Sequence, residues 1–138
     1  MDSKILAQLQ RSAYLNFATR KRSGEFVPTP VWFAPGDGDC FYLFSAGDAG
    51  KVKRLRNFSE ARIAPCTVTG RLTGGWLEAQ AHLLEDPRDI AGALAALRRK
   101  YGWQMRLLDL LSRVGGKLDR RAYIRVEPGS TAGWVSAS

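Results

Sequence analysis

The chain has 138 residues and a net charge of +8, from 21 Lys and Arg against 13 Asp and Glu. That length holds one domain with a real core and is too short for two. With 45% hydrophobic and 25% charged residues the composition is that of an ordinary globular domain, and no apolar run reaches the roughly 20 residues that span a bilayer.

The N-terminal stretch MDSKILAQLQRSAYL has an acidic second residue and no uninterrupted apolar run, so it does not read as a signal peptide, and the expected location is the cytoplasm. Cys40 and Cys66 sit in apolar segments and form no CxxC pair, which predicts two buried, reduced thiols. With one histidine, His82, there is no His/Cys cluster for a metal. The positive charge favours anionic partners in general without choosing among nucleic acid, phosphorylated cofactors and acidic membranes.

In chain order, Ile5, Leu6 and Leu9 have the spacing of a short amphipathic helix. Tyr14 to Thr19 reads as a strand and Arg20 to Gly24 as a hairpin turn. Phe26 to Ala34 alternates, with Val27, Thr29, Val31 and Phe33 on one face and Phe26, Pro28, Pro30 and Trp32 on the other. Its two prolines cannot donate ladder hydrogen bonds, so this strand has to be irregular or an edge over part of its length. Such an edge can offer backbone groups to a ligand. Pro35 to Asp39 is a turn, Cys40 to Ser45 an aromatic-rich strand, and Ser45 to Gly50 a loop of small residues. A short helix follows, with Asp48 available as its cap, Val52, Leu55 and Phe58 on an apolar seam, and Lys51, Lys53, Arg54 and Arg56 outward.

Glu60 to Val68 is a further strand, and Thr69 to Gly75 a loop. Trp76 to Glu85 is a strongly alternating strand whose outer face carries Glu78, Gln80 and His82. Asp86-Pro87 starts a helix in which Ile90, Leu94, Leu97 and Tyr101 form the apolar stripe and Arg98, Arg99 and Lys100 complement the dipole of the last turn. Gly102 interrupts it. A second stripe of Trp103, Leu107, Leu110, Leu111 and Val114 ends at Gly115-Gly116. Arg121 to Glu127 is the last strand. Residues 1–128 form one expected domain and 129–138 a loose C-terminal tail.

The expected fold is therefore mainly β with α: six antiparallel strands, one short basic helix between the third and fourth, and a helical pair before the sixth. Six strands suit a small closed or split barrel, which removes most sheet edges. Two strands deliver the chain to a helix N-terminus with Ser45 and Lys51 beside it. That arrangement suits an anion such as the phosphate of a flat cofactor lying on the preceding strand.

Five segments carry a resemblance: TPVWF (Thr29 to Phe33), SAGDAGKVKRLRN (Ser45 to Asn57), RIAPC (Arg62 to Cys66), WLEAQAHLLED (Trp76 to Asp86) and LRRKYGWQ (Leu97 to Gln104). In this order the chain resembles the deazaflavin-dependent members of the pyridoxamine-phosphate-oxidase-like split β-barrel flavoproteins. The last segment resembles the subgroup of F420-dependent oxidoreductases. Where such proteins usually carry Asn-Pro after the basic helix, this chain has Asn57-Phe58. The resemblance implies an FMN-binding split barrel, and a homodimer with the cofactor at the subunit interface. It puts Thr29, Pro30, Val31 and Trp32 at the cofactor ring, and Ser45, Lys51, Val52, Lys53 and Arg56 near its phosphate. Trp76 would come from the partner subunit.

No nucleophile, carboxylate pair or metal cluster stands out, as suits a cofactor that itself carries a hydride. The expected activity is hydride transfer between reduced F420 and a small organic acceptor. FMN is the alternative cofactor, and a non-catalytic flavin- or tetrapyrrole-binding barrel the alternative role. The basic residues are spread over separate segments without an RNA-binding signature, so no nucleic-acid partner is expected, and no membrane.

Overall fold

The computed structural model of the chain describes residues 7–9, 11–36, 40–46, 49–114 and 121–129. Its strands are β1 (Tyr14–Arg20), β2 (Phe26–Pro35), β3 (Phe41–Ala46), β4 (Glu60–Cys66), β5 (Leu77–Leu83) and β6 (Arg121–Pro128). Helix α1 (Gly50–Asn57) joins β3 to β4, and α2 (Pro87–Tyr101) and α3 (Trp103–Val114) lie between β5 and β6. All pairings are antiparallel, in the order β1-β2-β3-β6-β5-β4, and β4 pairs back to β1 to close the barrel. This is the expected six-stranded barrel with the expected helices. Residues 130–138 of the expected C-terminal tail, Ile5 and Leu6 lie outside the described residues, while Leu9 is fully buried.

One strand carries two registers. From Phe26 to Trp32, β2 pairs with β1, and from Phe33 to Pro35 it pairs with β3. Alternation explains the limit on the β3 side. The Gly36 N–H bonds the Cys40 carbonyl across the β2–β3 hairpin, so even-numbered residues of β2 turn their backbone groups toward β3. Phe33, of the other parity, has its N–H and carbonyl engaged by the Tyr101 hydroxyl. Pro28 and Pro30 therefore have their missing N–H on the β3 side, where the ladder stops, while the β1 ladder uses the odd residues and runs unbroken. The proline-bearing strand is an edge on one side only.

Two cores result. The barrel interior holds Leu15, Phe17, Phe33, Phe41, Leu43, Ile63, Ile124 and Val126, all essentially inaccessible. Burying each such side chain is worth about 1.5–3 kcal/mol. The second core lies between the helices and the outer face of β2, β3 and β6, around Ala34, Ala93, Leu97, Tyr101, Met105 and Tyr123. Asp86 caps α2, its carboxylate accepting from the Arg88 N–H at 2.9 Å, with Pro87 in the first turn. Gly102 separates α2 from α3 at φ 57°, a conformation that costs a side chain and suits glycine.

Three polar devices pin the helices to the barrel. The Tyr101 hydroxyl lies 2.7 Å from the Ala13 carbonyl, 2.9 Å from the Phe33 carbonyl and 2.8 Å from the Phe33 N–H, for which it is the acceptor. The Lys100 ammonium donates to the Ser12 carbonyl at 2.8 Å and sits 3.3 Å from the centroid of the Phe33 ring. Asp109 on α3 bridges Arg121 of β6 at 2.7 Å and Arg98 of α2 at 2.9 Å.

Replacing Tyr101 by Phe leaves the buried Phe33 N–H without its acceptor. Urea denaturation should show a loss of about 1–3 kcal/mol, and an unchanged midpoint would remove this hydroxyl from the framework. Burial also brings the Lys100 pKa down from 10.5 to about 8. As pH rises, the folded chain loses this proton before the unfolded chain does, so the lysine's contribution to stability grows from about pH 8 to the unfolded value. Burial moves the Tyr101 phenol the other way, so its contribution is full below its ordinary 10.0 and is lost above it. Urea melts of the native chain and Lys100→Met at about pH 7 and about pH 9.5 separate the two. The native chain should gain stability relative to the variant at the higher pH, and parallel curves would refute the assignment.

Candidate functional site

Where β2 and β3 part, a cleft of about 410 Å³ opens, lined by Tyr14, Pro30, Val31, Trp32, Phe44, Ser45, Lys51, Val68 and Leu108. Each wall has a local cause. Pro30, Val31 and Trp32 belong to the stretch of β2 that has lost β3 as a neighbour. Phe44 and Ser45 belong to the part of β3 that continues along β6 without β2, Ser45 facing Ala122 there. Trp32 is held flat against Tyr101, with ring centroids 4.4 Å apart and planes at 16°, and meets Phe44 edge-on at 6.3 Å and 83°. Such contacts add about 0.5–1.5 kcal/mol each beyond burial and fix the ring's orientation.

Val68 comes from the loop after β4. That loop is tied down by the Asn16 side-chain amide, which donates to the Gly70 carbonyl at 3.0 Å. Gly70 lies at φ 93° close above Pro30, where a Cβ would come to 3.8 Å from the proline ring. A turn at positive φ lets the loop approach the cleft wall.

Lys51 stands at the polar end. It is half-buried and forms no ion pair with another described residue. Burial first, and then the Arg54 guanidinium, lower its pKa below 10.5. It lies in the first turn of α1, which holds no acid and whose N-cap, Ala49, provides no side-chain acceptor. The N-cap is thus one residue beyond Asp48, which lies outside the described residues. A cation at the positive end of a helix dipole, partly withdrawn from water, is unfavourable until an anion joins it. Gly50 and Lys51 are the first residues of the helix, so their N–H groups have no intrahelical acceptor.

The structure divides the residues expected from the sequence. Pro30, Val31, Trp32, Ser45 and Lys51 come together in the cleft. Thr29 does not line it, since its hydroxyl turns toward the Phe17 carbonyl at 3.5 Å. Val52 is a core side chain, and the N–H groups of Val52 and Lys53 both go to the Ala49 carbonyl, so neither is free for a phosphate. Lys53 and Arg56 are exposed on α1 away from the cleft lining. Arg54, expected to point outward, instead donates from Nε to the buried Thr19 hydroxyl at 2.6 Å and ties α1 to β1.

Trp76 lines a different groove of about 300 Å³ on the outer barrel wall, with Ala18, Phe26, Pro28, Arg62 and Glu78. There Arg62 pairs with Glu78 at 3.0 Å and lies 4.1 Å over the Phe26 ring. Sequence reading missed Tyr14, Phe44, Val68 and Leu108. Phe44 could have been found from its position beside Ser45. The other three come from distant segments with no local signal. Cys40 and Cys66 are buried thiols that form no disulfide among the described residues, and His82 is exposed on β5, both as expected. Among the described residues no group of His, Cys, Asp and Glu could hold a metal.

No protein-family model and no curated protein matches the sequence. Solved structures do match. A heme storage protein of Vibrio cholerae aligns with a TM-score of 0.67 and 14% identity, over 94% of this chain and 91% of that one. A protein assigned as a pyridoxamine 5'-phosphate oxidase from Listeria innocua aligns with a TM-score of 0.61 and 16% identity, over 93% of each chain. This chain has the split-barrel fold of those proteins. A FAD-binding protein of Mesorhizobium loti shares it too, with a TM-score of 0.57 and 16% identity over 94% of this chain and 90% of that one. At such identities the likeness is one of fold.

Because the Lys51 ammonium is the charge available to an anion in the cleft, affinity for a phosphate-bearing ligand should fall with rising pH from below the ordinary lysine range. Isothermal titration across pH checks this. In Lys51→Arg the fall should move beyond the accessible pH range, since a guanidinium keeps its proton, and a curve of unchanged shape would exclude Lys51 as the group.

Proposed function

We propose that the chain is a deazaflavin-dependent oxidoreductase that moves a hydride between reduced F420 and a small organic acceptor. The observation that carries this reading is the cleft between β2 and β3, flat and apolar along Pro30, Val31 and Trp32, with a half-buried lysine at its end that pairs with no described acid. Its volume falls in the range of about 300–1,000 Å³ usual for small-molecule sites. The residues fit such a cofactor. Pro30, Val31 and Trp32 would bear on the ring, and Lys51 with the Gly50 and Lys51 N–H groups would hold the phosphate. Lys53 and Arg56, exposed farther along α1, suit the polyglutamate tail better than the phosphate.

When bound, the deazaflavin would supply the hydride, so the cleft itself need not provide a nucleophile or paired carboxylates. The protein's part is to orient the ring on the stacked Trp32 and to keep water off one face. Trp76 is outside the cleft of its own chain, so a contact with the cofactor requires a second copy. A homodimer with the cofactor at the subunit interface is part of this proposal. FMN is the alternative cofactor for the same site, in keeping with the fold shared with oxidase-like and FAD-binding proteins.

Titration of the purified protein with F420 and with FMN, followed by absorbance and fluorescence, tests the reading. Binding of FMN at micromolar or tighter affinity with no response to F420 would sink the deazaflavin assignment. Lys51→Ala should weaken cofactor binding by about 1.5–3 kcal/mol, the scale of a charge-assisted hydrogen bond. Equal affinity in the variant would take the phosphate away from Lys51. The shared fold with a heme storage protein supports a second reading, a barrel that carries a flavin or tetrapyrrole without turnover. Reduced cofactor offered with enones and quinones decides between them, since acceptor-dependent oxidation belongs to the enzyme alone.

A further inference from the structure

Helix α3 faces the wrong way for a helix whose apolar stripe is meant to be covered. It packs on the rest of the protein through Met105, Leu108 and Asp109, of which Met105 and Asp109 are buried. At about 100° per residue, Trp103, Leu107, Leu110 and Leu111 fall on the opposite face. They are 71%, 48%, 56% and 61% exposed. Four large apolar side chains on one exposed strip are more than scattered surface residues, and strips of this kind mark contact with a protein or a membrane.

Apart from the paired Asp109, the described charges on α3 and in the last turn of α2 are basic. Arg106 flanks it on α3, and Arg98 and Arg99 stand in the last turn of α2. Arg98, Arg106, Asp109 and Leu110 line a hollow of about 400 Å³ beside it. Asp109 is the only acid from Ile90 to Val114, and it is already held by Arg98 and Arg121. Two such faces related by a two-fold axis would set arginines against arginines without a free acid to pair them, which argues against a second copy. An anionic lipid surface meets both halves of the pattern, with acyl chains for Trp103 and the leucines and headgroup phosphates for the arginines.

We infer that the outer face of α3 docks on an anionic membrane surface, lying in the interface. Crossing is not involved, since no helix among the described residues is long and apolar enough to span a bilayer.

The test is flotation of the full chain with phosphatidylcholine vesicles, with and without phosphatidylglycerol. The chain should float with the phosphatidylglycerol vesicles, be released by added salt, and stay behind with phosphatidylcholine alone. Leu107→Gln/Leu111→Gln changes only exposed positions and should lower the bound fraction roughly tenfold. A urea midpoint equal to that of the native chain would verify its fold, and Arg106→Gln, checked in the same way, should weaken binding and flatten its salt dependence. No flotation at low salt, or flotation of the double variant equal to that of the native chain, would overturn the inference. So would sedimentation showing a native dimer that the double variant splits into monomers, since that gives the strip to a second copy.

Discussion

The backbone nitrogens of Pro28 and Pro30 have no hydrogen to donate, and both face the same side of β2. The rest of the structure depends on this. Toward β1 the strand is fully paired. Toward β3 it is paired only beyond Trp32, and the barrel seam opens over the length where donors are missing. A sheet edge is ordinarily a hazard, open to any passing strand. Here the edge is short, two of its donors are deleted, and the aromatic rings of Trp32 and Phe44 line the opening. The opening becomes a cleft suited to a flat ligand instead of an aggregation-prone edge.

What holds the opening at one width is the helical layer. Tyr101 ties α2 to both Ala13 and Phe33, just where β2 changes partners, and its ring backs Trp32. Lys100, next in the chain, bonds the Ser12 carbonyl and caps the Phe33 ring. These contacts come from one turn of one helix. They give the cleft wall a rigid support, which a site must have if it is to orient a ring. At the far end Lys51 is left without a partner among the described residues, while its neighbour Arg54 is consumed by Thr19. Of these two cations Arg54 is structural, and Lys51 lines the cleft.

Most of the architecture was legible along the chain because its signals are local. Alternation in Leu77 to Leu83, the Asp86-Pro87 start of α2 and the glycine break at Gly102 each act within a few residues, and each element appears where the pattern puts it. The site was legible by half. Pro30, Val31, Trp32, Ser45 and Lys51 lie on two stretches that the hairpin brings side by side, so proximity in sequence stood in for proximity in space. The inward turn of Arg54 was misjudged because a helix of eight residues shows its whole inner face only once the surface it packs on is known, while Val52 and Leu55 are buried on the seam where the pattern puts them. Tyr14, Val68 and Leu108 reach the cleft through barrel closure and the helical layer, which no local pattern reports.

By itself the sequence determined the six strands, the three helices after the second strand, the barrel class and the loss of donors on β2. Those are consequences of periodicity, turn chemistry and the covalent structure of proline. The tertiary structure alone decided on which side the lost donors fall, because that follows from pairing register. It alone decided which cation of α1 is tied down, because Thr19 lies on β1. It also turned the Trp103–Leu111 strip outward, since Met105, Leu108 and Asp109 compete for the same helix to face inward and the Arg98–Asp109–Arg121 bridge settles the rotation.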